Sequence, residues 1–237
     1  MMPRRSRQPG FTLLELLVVT GIIGILLALA LPAMSKAKEQ ARRTVCLSNL
    51  KSLTYAWLSY ANDHGGRLVT AGTMDPNSWV NDCTACMSVQ GGALWPYLRN
   101  PNVYVCPDDL INYDRTYSIN GYLNGEYESP ARTLSDVRSP SSGVFCFIEK
   151  FDPTGLNENS FLTSVYPASN WVDDIAPWHQ NAGLLSFCDG HAIVWNWADA
   201  PVTARTHTPG AFQPNNPDLR QLQAWFGPNP TPPGVSQ

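Results

Sequence analysis

The 237-residue chain lacks the short patterns that mark common enzyme classes. It has no G-x-S-x-G, no H-E-x-x-H and no glycine loop able to cradle phosphate, which removes the usual signatures of hydrolase, zinc-peptidase and nucleotide chemistry. No spaced pair of carboxylates sits in strand contexts, so no enzyme is expected and no catalytic residue is assigned. Basic charge is also scarce. With 16 Lys and Arg against 19 Asp and Glu the net charge is −3, which gives no reason to expect nucleic acid as a partner. There is no internal repeat. Cys83-Thr-Ala-Cys86 has the C-x-x-C spacing of a redox or zinc site, but without a second such pair or paired histidines nearby it reads as structural. No metal ligand set is assigned. Asp108, Asp109 and Asp114 could offer oxygen ligands to calcium, yet their spacing matches no EF-hand loop, and solvated turn carboxylates are the preferred reading.

What the chain does have is one long apolar run. After a basic leader with Arg4, Arg5 and Arg7, residues from Phe11 to Leu31 form an apolar stretch of 21 residues, about the 20 that a helix needs to cross a bilayer. Glu15 alone interrupts it with charge. A carboxylate inside a membrane helix is costly and wants a named partner, and a freed amine at Phe11 is the nearest candidate. Three arginines before the run and an acidic body behind it predict the leader inside and the body outside. Loss of the leader would take the net charge from −3 to −6.

Gly10-Phe11-Thr12-Leu13-Leu14-Glu15, the apolar run and Pro32 together resemble the processing and methylation signal of type IV pilins and type II secretion pseudopilins. The resemblance implies cutting after Gly10 by a prepilin peptidase, methylation of the new N-terminal Phe11, and neutralisation of a neighbouring subunit's amine by Glu15. It also implies an inner-membrane assembly platform and copies of itself or other pilins as partners. The location implied is the inner membrane, with a single pass, a periplasmic or extracellular C-terminal domain, and an assembled filament. An ordinary secretory signal is the alternative, since Ala28, Ala30 and Ala33 loosely mimic a small-residue cleavage site. The length of the run, the position of Glu15 and the continuation of the helical pattern past Pro32 speak against it.

Residues 1–10 are therefore read as leader and 11–64 as a transmembrane and spine helix, about 80 Å long at 1.5 Å per residue. Residues 65–199 are read as a globular β domain and 200–237 as a Pro-rich C-terminal extension. Beyond the membrane, Met34, Ala37, Ala41, Val45, Leu50, Leu53, Trp57 and Tyr60 recur at helical steps and predict an apolar face that docks on the domain. Lys36, Lys38, Arg42 and Arg43 read as a solvated face, with headgroups or acidic groups of adjacent subunits as the other reading. Asn62-Asp-His-Gly-Gly66 supplies a helix stop. Short strands are expected at 67–70, 103–107, 144–148 and 184–188, and a helical turn at 93–98. A short helix is expected at 218–226, with Leu219, Leu222, Trp225 and Phe226 on one face. The fold class predicted is α+β and pilin-like: a long N-terminal helix packed on a mainly antiparallel sheet.

Near the C-terminus, Asp189-Gly190 between two apolar runs predicts a two-residue type I′ hairpin. His179, nine intervening residues and Asp189-Gly190 resemble the H-X9-DG motif of pilin-like proteins of planctomycete and verrucomicrobial type. Its chemical role is open. His179, Asp189 and His191 could form a metal or catalytic cluster. The simpler reading is a His179 hydrogen bond that fixes the hairpin against the spine. Asp173 and Asp174 read as loop acids. The six cysteines are disulfide candidates outside the cytoplasm, with Cys146 and Cys188 able to bridge if their strands are neighbours. Eight Trp and nine Tyr leave a second function in view, a pilin-anchored binding module for polysaccharide or another surface ligand, although aromatics are also ordinary core material.

Overall fold

A computed structural model describes residues 12–72, 75–81, 89–109, 115–137, 141–151, 159–165, 167–176, 178–199 and 212–227. Gly10, Phe11, Cys83, Cys86 and Asp114 lie outside the described residues, as do the prolines of 200–211 and 228–237. The chain divides into two compact units, Met1–Ala41 and Arg42–Gln237.

Helix α1 covers Leu13–Asp63, 51 residues with Pro32 inside it. In the first unit its described side chains are exposed from Thr12 to Lys38. The most apolar window of α1 has a mean hydropathy of 2.6 and none of it is buried, so the helix is long and apolar enough to cross a membrane. A continuous exposed apolar surface of this kind marks a lipid or protein contact. Gly65 and Gly66, both at positive φ, end the helix, and Gly66 N donates to Ala61 O.

In the second unit α1 turns amphipathic. Cys46, Leu50, Leu53, Trp57 and Ala61 are fully buried, at steps of three and four. The buried stripe differs by one position from the expected face at both ends. Val45 is 49% exposed where Cys46 is buried, and Tyr60 is half-buried where Ala61 is buried. A helical period of 3.6 leaves such one-residue ambiguities, and the sheet resolves them by what it can accommodate. Thr54 Oγ1 lies 2.7 Å from Ser186 Oγ on the sheet, and Asn49 Nδ2 donates to Asn102 O and Val105 O at 3.3 Å.

Six strands form the sheet among the described residues: β1 Tyr117–Asn120, β2 Phe145–Phe151, β3 Ser160–Phe161, β4 Asp174–Ile175, β5 Ala182–Phe187 and β6 Ala192–Asn196. Their order is β3-β1-β2-β5-β6, with β4 also on β2. All pairs are antiparallel except β1 with β3. This is the α+β, mainly antiparallel architecture expected. The stretch at 67–70 makes isolated bridges, Arg67 with Thr133 and Thr70 with Ser78, and no strand. At 101–104 a tight helical turn replaces the expected strand, because Pro101 sits at its first position and Asn100 Oδ1 accepts from Asn102 N.

Helix α2, Pro217–Phe226, starts at Asn216, whose Oδ1 accepts from Leu219 N at 2.9 Å. Leu219, Leu222 and Phe226 join the main core, and Trp225 packs edge-on against Trp195 and Phe187. Asp218 accepts from Trp195 Nε1, Ala198 N and Asp199 N. Part of the segment expected as an extension thus completes the domain core. None of the eight tryptophans is exposed, so their number is accounted for by packing rather than by a surface platform.

Candidate functional site

At the start of α1 the sequence T-x-x-E forms a reciprocal capping box. Glu15 N donates to Thr12 Oγ1 at 3.2 Å, and Glu15 Oε2 accepts from Thr12 N at 2.9 Å and Thr12 Oγ1 at 2.8 Å. The one charge of the apolar run is therefore held at the helix N-terminus, where the backbone dipole favours a carboxylate. The pattern for this box is present in Thr12-Leu-Leu-Glu15, and sequence reading missed its local role.

Toward the other end, the strands flanking Asp189-Gly190 do pair, with Ser186 opposite Ala192. The loop has three residues rather than two. Gly190 N donates to Phe187 O and Phe187 N to His191 O, and only Gly190 of the loop has positive φ, at 96°. This is a type I turn closed by a glycine bulge, in place of the type I′ turn expected. Glycine is required twice over at 190, by its φ and because a Cβ there would meet the Tyr55 ring of α1 at 3.2 Å. Asp189 Oδ1 accepts from His191 N at 3.1 Å and lies 2.6 Å from His191 Nδ1. Burial pushes the Asp189 carboxyl up, but the His191 contacts outweigh it and hold it below its ordinary value.

His179 is elsewhere. The trio His179, Asp189 and His191 does not assemble, because Asp189 and His191 pair at the exposed turn while His179 faces the interior. His179, Gln180 and Asn181 all adopt left-handed backbone, with φ of 56°, 59° and 66°. Each such residue costs on the order of 1–2 kcal/mol. The turn is held by Arg43 Nη2, which donates to His179 O, and by Trp197 N, which donates to Asn181 O at 3.2 Å.

This strained turn aims the imidazole into a buried cluster. His179 Nε2 lies 3.1 Å from Glu149 Oε1 and 3.3 Å from Cys106 Sγ, and Cys106 Sγ lies 2.8 Å from Cys46 Sγ. One donor atom from each of the four residues falls within 4.8 Å of the others, and all four residues are buried. Supporting groups surround them. Asp108 Oδ2 sits 3.0 Å from His179 Nδ1, Asp108 pairs with Arg42, and Glu149 Oε2 accepts from Leu184 N at 3.2 Å. The His179–Glu149–Leu184 chain ties the start of the hairpin to β2, whereas the simpler reading has His179 fix the hairpin against the spine. Arg42 and Arg43 are half-buried and reach the domain through Asp108 and His179 O rather than forming a purely solvated face. Asp108 is largely buried and paired, and Asp109 Oδ2 accepts from Thr116 Oγ1 at 2.9 Å, so neither is a solvated turn carboxylate. Asp173 is likewise engaged, with Lys150 at 3.1 Å.

The cluster perturbs its own acids and bases. Burial pushes His179 down, but hydrogen bonds to Cys46 and Glu149 and the Glu149 charge carry it up to about 10. The hydrogen bond between Cys46 and Cys106 leads in lowering Cys46 to about 7, against burial and with help from His179. Cys106 is raised by the same bond and by burial. Sequence reading missed Cys46, Cys106 and Glu149 as partners of His179. The one local signal was Glu149, a carboxylate closing the apolar strand Val144-Phe-Cys-Phe-Ile148. Cys146 and Cys188, on the expected neighbouring strands, are both buried thiols, and Cys188 N donates to Val144 O.

Comparison with known proteins bears on this same end of the chain, where a capped glutamate opens an apolar, membrane-length helix. Residues 5–31 match the prokaryotic N-terminal methylation motif. A type II secretion system core protein G of Pseudomonas aeruginosa is 39% identical over 61 residues, 26% of this chain and 43% of that protein. The type IV major pilin protein PilA of Myxococcus xanthus is 40% identical over 57 residues, 24% of this chain and 26% of that protein. The type IV major fimbrial protein FimA of Dichelobacter nodosus is 26% identical over 174 residues, 65% of this chain and 98% of that protein. The chain spans less than half the length of the first two relatives. No solved structure matches it. Beyond the methylation motif, the long apolar helix followed by an antiparallel-dominated domain is a pilin-like α+β fold.

Proposed function

We propose that this chain is a structural subunit of a type IV pilus or a type II secretion pseudopilus. The observation that carries the reading is the methylation motif over residues 5–31, with Glu15 as the one charge in a fully exposed apolar helix. Prepilin peptidase cuts between Gly10 and Phe11 and methylates Phe11. The apolar part of α1 then anchors the chain in the inner membrane, with the second unit on the periplasmic or extracellular side, until it packs against other pilins in the filament. Glu15 neutralises the Phe11 amine of a neighbour, and its capping contacts, made through Oε2 and the backbone, leave the charge at the helix end where that amine arrives. His179, Asp189 and Gly190 belong to an H-X9-DG motif whose role in this chain is architectural at Asp189 and Gly190. No catalytic role is assigned, in line with relatives named as a type II secretion system core protein, a type IV major pilin and a type IV major fimbrial protein.

The test is intact-mass and N-terminal analysis of the protein from its native membrane, with and without the prepilin peptidase. A mature chain beginning at N-methylated Phe11, formed only when the peptidase is present, is expected. An uncleaved chain, or one cut after Ala30 or Ala33, would reduce the helix to an anchor or signal and remove the assembly reading.

A further inference from the structure

We infer that Cys46, Cys106, His179 and Glu149 form a binding site for a zinc-class divalent metal ion in the core of the second unit. The four donors are two sulfurs, one imidazole nitrogen and one carboxylate oxygen, the mixture that suits zinc. They come from four separate segments: α1, the loop after 101–104, the left-handed turn and β2. No secondary-structure period places them together, and yet all four donor atoms lie within 4.8 Å of one another.

Geometry and surroundings both favour an ion. With Zn–S near 2.3 Å and Zn–N and Zn–O near 2.0–2.2 Å, tetrahedral donors stand roughly 3.3–3.8 Å apart. The separations here are 3.3 Å for Cys106 Sγ to His179 Nε2, 3.1 Å for Nε2 to Glu149 Oε1 and 2.8 Å for the two sulfurs. The first two need only tenths of an ångström, and the sulfurs must part by about 0.9 Å to reach the zinc-bound spacing. At 2.8 Å the sulfurs stand between a disulfide's about 2.05 Å and the zinc-bound spacing of about 3.8 Å, so it is the other two donors that favour an ion. A disulfide would use the sulfurs alone, whereas an ion uses Nε2 and Oε1 as well. The outer partners are those that metal ligands require. Asp108 Oδ2 faces His179 Nδ1 at 3.0 Å, which leaves Nε2 as the ligand atom, and the Leu184 N–H orients Glu149 through its other oxygen. Binding of the ion releases both thiol protons and leaves His179 neutral at Nε2, and the two thiolates and Glu149 then carry three negative charges in a site with no exposed member. A divalent ion turns that mutual repulsion into shared ligation and leaves one. The left-handed backbone of His179–Asn181 is strain held at the residue that supplies the nitrogen.

The experiment uses full-length protein in detergent, with Cys83 and Cys86 changed to Ser so that the C-x-x-C pair contributes nothing. The reduced protein is dialysed against Zn²⁺ and then against metal-free buffer, and the metal is counted by mass spectrometry. One ion per chain is expected, with a higher melting temperature than the chelator-stripped protein. Co²⁺ in its place is expected to give sulfur-to-cobalt charge-transfer absorption and the d–d bands of a tetrahedral site. Cys106→Ser and His179→Gln should each weaken retention at least tenfold, and Asp108→Asn by about 10–100-fold, as loss of an outer partner does. Three results would overturn the site: no retained ion in folded, reduced protein; retention unchanged in the Cys106→Ser and His179→Gln variants; or metal-free native protein whose peptide map shows Cys46 joined to Cys106. Should a variant fail to fold, the cobalt spectrum of the protein with all four donors intact decides alone.

Discussion

Sequence periodicity places Val45 and Leu53 on one face of α1, whereas the tertiary structure buries only Leu53, and paired alanine substitutions separate the two. Leu53→Ala removes three carbons from a fully buried side chain. At about 0.8 kcal/mol per methylene the transfer loss is about 2.4 kcal/mol, and the cavity left in a close-packed core brings the cost to about 3–4 kcal/mol. For a domain of this size that is a fall in melting temperature of roughly 6–16 °C. Val45 is 49% exposed. Val45→Ala loses about half of a smaller transfer term and recovers about 0.5 kcal/mol of helix propensity, so it should lie within about 0.5 kcal/mol of the parent. The assay is thermal and urea unfolding of the full-length chain in detergent, followed by near-ultraviolet circular dichroism of the buried tryptophans. Equal losses from both substitutions, or a Leu53→Ala protein as stable as the parent, would refute the packing of α1 described above.

Glu15→Ala should leave membrane insertion intact, since it removes the one charge of the apolar run, and should lower filament yield in sheared-fibre fractions; normal yield would count against charge pairing with Phe11. Gly190→Ala forces an L side chain to φ 96° and against Tyr55, and should cost about 1–3 kcal/mol in unfolding experiments, with Tyr55→Ala in the same chain relieving only the steric part. Asp136 is held below its ordinary value first by the Thr133 side chain and then by the backbone N–H groups of Thr133 and Arg132. Its folded value lies below its unfolded one, so its contribution is present above about pH 3.9 and is lost as pH falls through the lower folded value. Asp136→Asn should therefore flatten the acid limb of the stability profile, and an unchanged limb would show that other carboxylates set it.

Much of the first unit is legible without a structure because its signals are local. The apolar run and Glu15 lie within a few turns of chain, and membrane length is a count of residues; the Thr12-x-x-Glu15 pattern is as local, although its capping role was not read from it. The Asp-Gly hairpin was legible for the same reason, although its loop length was not, since Asp189 at negative φ and Gly190 at positive φ satisfy a bulged turn as readily as their dipeptide suggests a tighter one. The C-terminal helix showed its apolar face, but nothing local told that Trp225 would find Trp195 and Phe187.

The sequence by itself determined that an apolar N-terminal helix precedes an α+β body, because helix and strand periods and membrane length are written along the chain. Only the tertiary structure decided which side of α1 is buried and which residues His179 meets. Cys46 and Cys106 stand 60 positions apart and His179 another 73 beyond Cys106. Their convergence depends on strand order and on a left-handed turn that no propensity predicts, so it exists only once the sheet has closed around them.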